Sequence, residues 1–71
     1  MERGTVSWFE NARGFGFLKS ETGENRGKEF FCHFTAIQCE GYKTLAEGQE
    51  VTFDLEVGPK QKLQACNVRP L

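Results

Sequence analysis

The segment QEVTFDLEV (49–57) puts Val51, Phe53, Leu55 and Val57 at every second position, and a period of two runs through most of the chain. Residues two apart share one face of a strand, so this pattern reads as strands with one buried side. No stretch carries the three-to-four-residue spacing over a length that would build a helical core. A short open sheet would leave unpaired backbone at its edges, and closing it into a small barrel removes them. The alternation predicts strands over Thr5–Glu10, Phe15–Lys19, about Lys28–His33, 49–57 and Lys62–Arg69. Turn residues fill 11–14, a glycine-rich polar loop fills 20–27, and Gly58-Pro59 breaks the fourth strand. The irregular connection 34–48 has room for one helical turn near Thr35–Gln38. With 71 residues the expectation is one domain over 1–71, and the Met1 start is read as that of a complete chain.

The stretch ARGFGFL (12–18) then raises the question of which face is buried. Phe15 and Phe17 share one side of the second strand, with Gly16 and Leu18 on the other. On the third strand Phe31 and His33 share a side, with Phe30 and Cys32 opposite. Two assignments satisfy the hairpin. Either Leu18, Phe30 and Cys32 point inward and Phe15, Phe17, Phe31 and His33 outward, or the reverse. The outward assignment makes a contiguous aromatic patch, which on a small protein marks a binding surface. Trp8 can join it only if a bulge or strong coil separates it from Val6, which has the same parity. On the last strand, alternation gives Cys66 and Val68 to one face and Ala65 and Asn67 to the other, with Cys66 as a small core residue.

Composition narrows the function. Seven Phe, one Trp and one Tyr stand beside only ten Val, Leu and Ile, so not every aromatic can be core. A net charge of −1 does not indicate a generally cationic binder, and any contact with phosphates would need basic residues gathered on one face. The three cysteines are odd in number and no secretory segment precedes them, so a reduced, cytoplasmic protein is expected. No apolar run reaches the ~20 residues that span a bilayer. Cys32 and His33 are neighbours on a strand and point to opposite faces, and no Cys-x-x-Cys pair exists, so neither a metal site nor a cofactor is expected. The single histidine lies among aromatics and not beside a placed nucleophile, so the chain does not read as an enzyme.

WFENARGFGFL, then EFFCHFTAI, then GYKTLAEGQEVTF, with ACNV near the end, together resemble the bacterial cold-shock domain over about Gly4 to Val68. The specific parts are basic-Gly-Phe-Gly-Phe-aliphatic at 13–18 and Phe-x-His-Phe at 31–34. The resemblance implies an all-β, five-stranded antiparallel OB-fold barrel. It also implies binding of single-stranded RNA and single-stranded DNA without catalysis, as an RNA chaperone or a regulator of transcription or translation. Its stacking surface carries over to Trp8, Phe15, Phe17, Phe31, His33, Phe34 and Tyr42, with Phe9 as a lesser member whose parity also suits the core. Arg13 stands where the family has a phosphate-contacting lysine, and Lys60 and Lys62 replace part of a thinner basic rim. The departures are Ser7 for a usual basic residue, Glu10 for a usual asparagine, Cys39 for a usual glycine, and a longer 20–28 loop. A monomer is expected. The alternative reading is a protein-interaction module using the same patch, favoured by the acidic balance and Ser7. A metal or redox sensor built on the cysteines is the weaker third.

Overall fold

A computed structural model of the chain describes residues 1–38 and 44–71. Five strands, β1 (Glu2–Glu10), β2 (Phe15–Ser20), β3 (Glu29–His33), β4 (Glu50–Val57) and β5 (Leu63–Pro70), close into a barrel in the order β1-β2-β3-β5-β4. The strands follow the sequence expectation closely, with β1 starting earlier, at Glu2. The predicted helical turn is a 3-10 turn at Phe34–Ala36, and two more such turns occupy Gly23–Asn25 and Pro59–Gln61. Four of the five seams are antiparallel. The closing seam, β3 with β5, is parallel and rests on one ladder pair, Phe31 with Gln64, extended by a bridge from Ile37 to Val68.

β1 is long enough to serve two partners. Glu2–Thr5 pairs with β4 and Gly4–Glu10 with β2. Its register against β2 shifts between Val6 and Trp8. Ser7 is thus the extra residue of a bulge, which turns Val6 into the barrel and Trp8 out of it. The bulge that parity required is present.

Inside lie Val6, Leu18, Phe30, Cys32, Ile37, Leu45, Val51, Phe53, Ala65 and Val68, with Phe9, Ala36 and Leu55 packed against them. This is the arrangement with Leu18, Phe30 and Cys32 inward. The rings of Phe30 and Phe53 meet at 6.3 Å across the interior. Gly16 faces the same way as Leu18, and β1 passes so close that a methyl group there would strike the Trp8 carbonyl oxygen and come within 2.7 Å of Phe9 Cα. Only glycine fits that crossing. Asn11 fastens the loop beyond 43 to the first turn. Its amide donates to the Leu45 carbonyl at 3.5 Å and accepts from the Leu45 N–H at 3.3 Å, which holds the Leu45 side chain in the core.

β5 departs from strict alternation. Ala65 and Val68 are the buried pair, while Cys66 is half-buried on the outer face. The expectation that Cys66 fills the core is therefore corrected. Asn67 has a φ of 50°, and the β4–β5 register shifts between Thr52 and Asp54. That irregularity inserts one residue, so positions three apart both face inward. On β4 the alternation fades at the end: Val51 and Phe53 are buried, Leu55 is half-buried, and Val57 is exposed beyond the barrel.

Burial pushes the Cys32 thiol from the ordinary 9.0 up to about 12. A raised folded-state value means that the neutral thiol stabilises the fold fully below pH ~9, and that this contribution is lost as pH rises toward ~12. The urea midpoint of the wild type should therefore fall between those pH values more steeply than that of Cys32→Ala. Parallel pH profiles for the two proteins would refute the burial argument.

Candidate nucleic-acid interface

The outer faces of β1, β2 and β3 are built by alternation and register. Trp8 stands opposite Phe17, Phe17 opposite Phe31, and Phe15 opposite His33. Cross-strand neighbours are close enough for rings to touch, and they form a connected row. Trp8 meets Phe17 at 5.5 Å and Phe15 at 5.8 Å. Phe31 lies 6.0 Å from both Phe15 and Phe17, stacked on the first at 29° and edge-on to the second at 79°. The imidazole of His33 continues the row 6.4 Å from Phe31, and Phe34 ends it 4.7 Å from His33. Trp8 and Phe34 are 37% and 41% exposed, so both ends of the row are open to a ligand.

Two of these side chains are held by local devices. Gly14 has a φ of 78°, a left-handed turn, and its carbonyl accepts the Phe34 N–H at 2.8 Å. A methyl group on Gly14 would come within 2.6 Å of the Phe34 ring, so the ring packs directly against bare backbone. His33 is oriented from its far side. The Thr35 hydroxyl lies 2.9 Å from Nδ1 and the Thr35 N–H points at the same nitrogen at 3.4 Å. With Nδ1 accepting from the Thr35 N–H, Nε2 is the ring nitrogen left to carry an N–H.

The expected site residues divide as follows. Trp8, Phe15, Phe17, Phe31, His33 and Phe34 come together. Phe9 does not join them: it packs against the core, with its ring beside Gly16. Tyr42 and Cys39 lie outside the described residues. Arg13 is exposed in the β1–β2 turn, where its Nε sits 3.4 Å from Glu10 Oε2. Lys60 and Lys62 are exposed in the loop leading into β5, and Lys60 has a φ of 62°. Because Gln64 pairs with Phe31, that loop emerges beside the start of β3.

The position of Glu10 was not foreseen. It is the register partner of Phe15, so a carboxylate borders the aromatic row and engages the one arginine in the turn. The signal in the sequence was the three-residue spacing of Glu10 and Arg13 across a tight turn. Among the described residues no group of three or more His, Cys, Asp or Glu side chains could hold a metal ion. Nor is any helix among them long and apolar enough to cross a membrane.

Comparison with known proteins places this surface in context. Residues 2–71 match the family described as the 'Cold-shock' DNA-binding domain. The chain belongs to that family. It is 58% identical to the cold shock-like protein CspA of Shewanella violacea over 65 residues, covering 92% of this chain and 87% of that one. It is 53% identical to the cold shock-like protein CspD of Escherichia coli strain K12, covering 84% and 77%. To the cold shock protein CspC of Bacillus subtilis it is 49% identical, covering 97% of each. Among solved structures it resembles the Drosophila Unr CSD456 with a TM-score of 0.75 and 27% identity. That match covers 99% of this chain and 26% of that one.

In this cold-shock domain the turn at Gly14 is the support on which the end of the row depends. Gly14→Ala should cost about 1–2 kcal/mol for the left-handed backbone alone. It should also shift the ring-proton resonances of Phe34 and His33. Unchanged resonances in the folded variant would show that the Phe34 ring does not rest on Gly14.

Proposed function

We propose that this cold-shock domain, a single unit over 1–71, binds single-stranded RNA and DNA by stacking unpaired bases on Trp8, Phe15, Phe17, Phe31, His33 and Phe34. The observation that carries the reading is the continuous row of rings on one outer face, open at both ends. A protein with a thin core gains little by leaving five large aromatic rings and an imidazole facing water, and a base stacked on such a ring contributes roughly 1–3 kcal/mol. Bases in a duplex are already stacked on one another, so the ligand is a single strand. A row of this length suits about six nucleotides, within the roughly 4–16 that one barrel of this kind engages.

The action that follows is passive. By holding bases that would otherwise pair, the domain shifts a hairpin toward its open form, which is the work of an RNA chaperone in a cytoplasmic setting. No catalytic step is part of this reading. Charge assists weakly, because Arg13 is engaged by Glu10 and the chain carries a net charge of −1. Lys60, Lys62 and a freed Arg13 are the phosphate contacts in this scheme, and Tyr42 extends the stacking surface.

Titration with a short oligothymidine should quench Trp8 fluorescence, and no change at high micromolar strand would reject stacking. Phe15→Ala or Phe31→Ala should weaken binding about tenfold, the loss of one stacked base, with the barrel still folded. Equal affinity would remove that ring from the site. Glu10→Gln should strengthen binding roughly fivefold by removing a like charge near the phosphates. It should also steepen the dependence of log affinity on log salt by about 0.7, the single-strand value for one more neutralised phosphate. An unchanged slope would mean that Arg13 does not reach the strand.

A further inference from the structure

Besides its two open ends, the aromatic row borders a second feature at His33. Beyond His33 the outer wall of the barrel continues across the weak β3–β5 seam into a cleft of about 230 Å³, the volume of seven or eight waters at ~30 Å³ each. His33 is common to both, so a strand lying along the rings delivers its next base to the mouth of this cleft. The walls are polar. On one side Glu56 Oε2 accepts from Gln64 Nε2 at 3.2 Å. On the other Gln38 donates to Asn67 Oδ1 at 2.7 Å, and from outside the lining Arg69 donates to Gln38 at 3.2 Å and Asp54 accepts from Asn67 at 3.2 Å. This linear run of partners holds the Gln38 and Asn67 amides in place. The half-buried Cys66 lies in the cleft and stays a neutral thiol, because burial and then the charge and hydrogen bond of Glu56 raise its pKa.

The chemistry of the cleft is that of a base edge and not of a phosphate. Among the described residues no lysine or arginine lines it, and its one charged side chain is the Glu56 carboxylate. Gln64 keeps a second amide N–H after bonding Glu56, and His33 offers its Nε2–H. The set is therefore a strong acceptor beside donors. Cytosine presents an exocyclic amino group next to a ring-nitrogen acceptor, and carboxylates accept from that amino group in base recognition generally. Thymine and uracil set their single N–H between two carbonyls, so one carbonyl must face the carboxylate's second oxygen.

We infer that the cleft between β3 and β5 is a base-reading subsite that takes one nucleobase bearing an exocyclic amino group and discriminates against thymine and uracil, with Glu56 and Gln64 as the reading pair. The inference rests on the stacking function proposed above and adds to it one position of hydrogen-bonded selectivity beside His33.

The test is a set of oligothymidines of equal length in which one cytosine is walked through every position. Each is titrated against the intact wild type and against Glu56→Ala, which alters an exposed strand position. The readout is the ratio of affinities, cytosine-containing over all-thymine, within each protein, so general changes in charge cancel. One position should give a ratio of roughly five in the wild type, the worth of one net hydrogen bond, and a ratio near one in Glu56→Ala. If no position favours cytosine, or if the preference survives in Glu56→Ala, the cleft does not read bases, while binding of the all-thymine strand leaves the stacking function standing. If the all-thymine strand fails to bind the wild type, the stacking function falls and the subsite falls with it.

Discussion

The outer surface of this barrel depends on one close approach, that of β1 across Gly16. Because Gly16 has no side chain, the backbone of Trp8 and Phe9 can lie against β2. The Phe9 ring then turns toward the core while Trp8 turns outward onto Phe17. The bulge at Ser7 and the empty position at Gly16 act together, one resetting the parity of β1 and the other giving it room. Fill that space and Trp8 loses its place beside Phe15 and Phe17. The aromatic surface is thus a result of tight backbone packing beneath it, which is why glycines alternate with phenylalanines at 14–17.

The balance between stacking and charge separates this chain from a general nucleic-acid binder. Its net charge of −1 gives no long-range pull on a polyanion. The arginine nearest the rings is held by Glu10, a surface pair of the kind worth at most ~1 kcal/mol. In the proposed function, six stacking groups at roughly 1–3 kcal/mol each outweigh that term several-fold even after the cost of ordering the strand. On that proposal, contact with bases outweighs attraction to the backbone.

Much of this was legible in the sequence. Alternation located the strands, parity reduced the core to two opposite assignments between which the family resemblance chose, and the conflict between Val6 and Trp8 called for the bulge that is present. What escaped was irregularity on β5, where Asn67 adopts a left-handed backbone and moves Cys66 from the inside to the outside. No periodic pattern announces such a residue, because asparagine occurs in ordinary strand positions as well. The cleft escaped for a related reason. It is formed by β3 with the turn after His33, by Glu56 of β4 and by β5, segments far apart in sequence that meet only once the barrel closes parallel at that seam. Phe9 was ambiguous by parity, and only the space over Gly16 decides it.

That parallel seam also divides the molecule by stiffness. β1, β2 and β3 are stitched by long antiparallel ladders, whereas β3 and β5 share one ladder pair and a bridge. Local openings begin where backbone pairing is sparsest. The barrel therefore has a rigid half that carries the rings and a looser joint along its closing edge. Breathing at that joint would widen the space beyond His33 while the spacing of the rings stayed set, much as a book opens at its spine without disturbing the page.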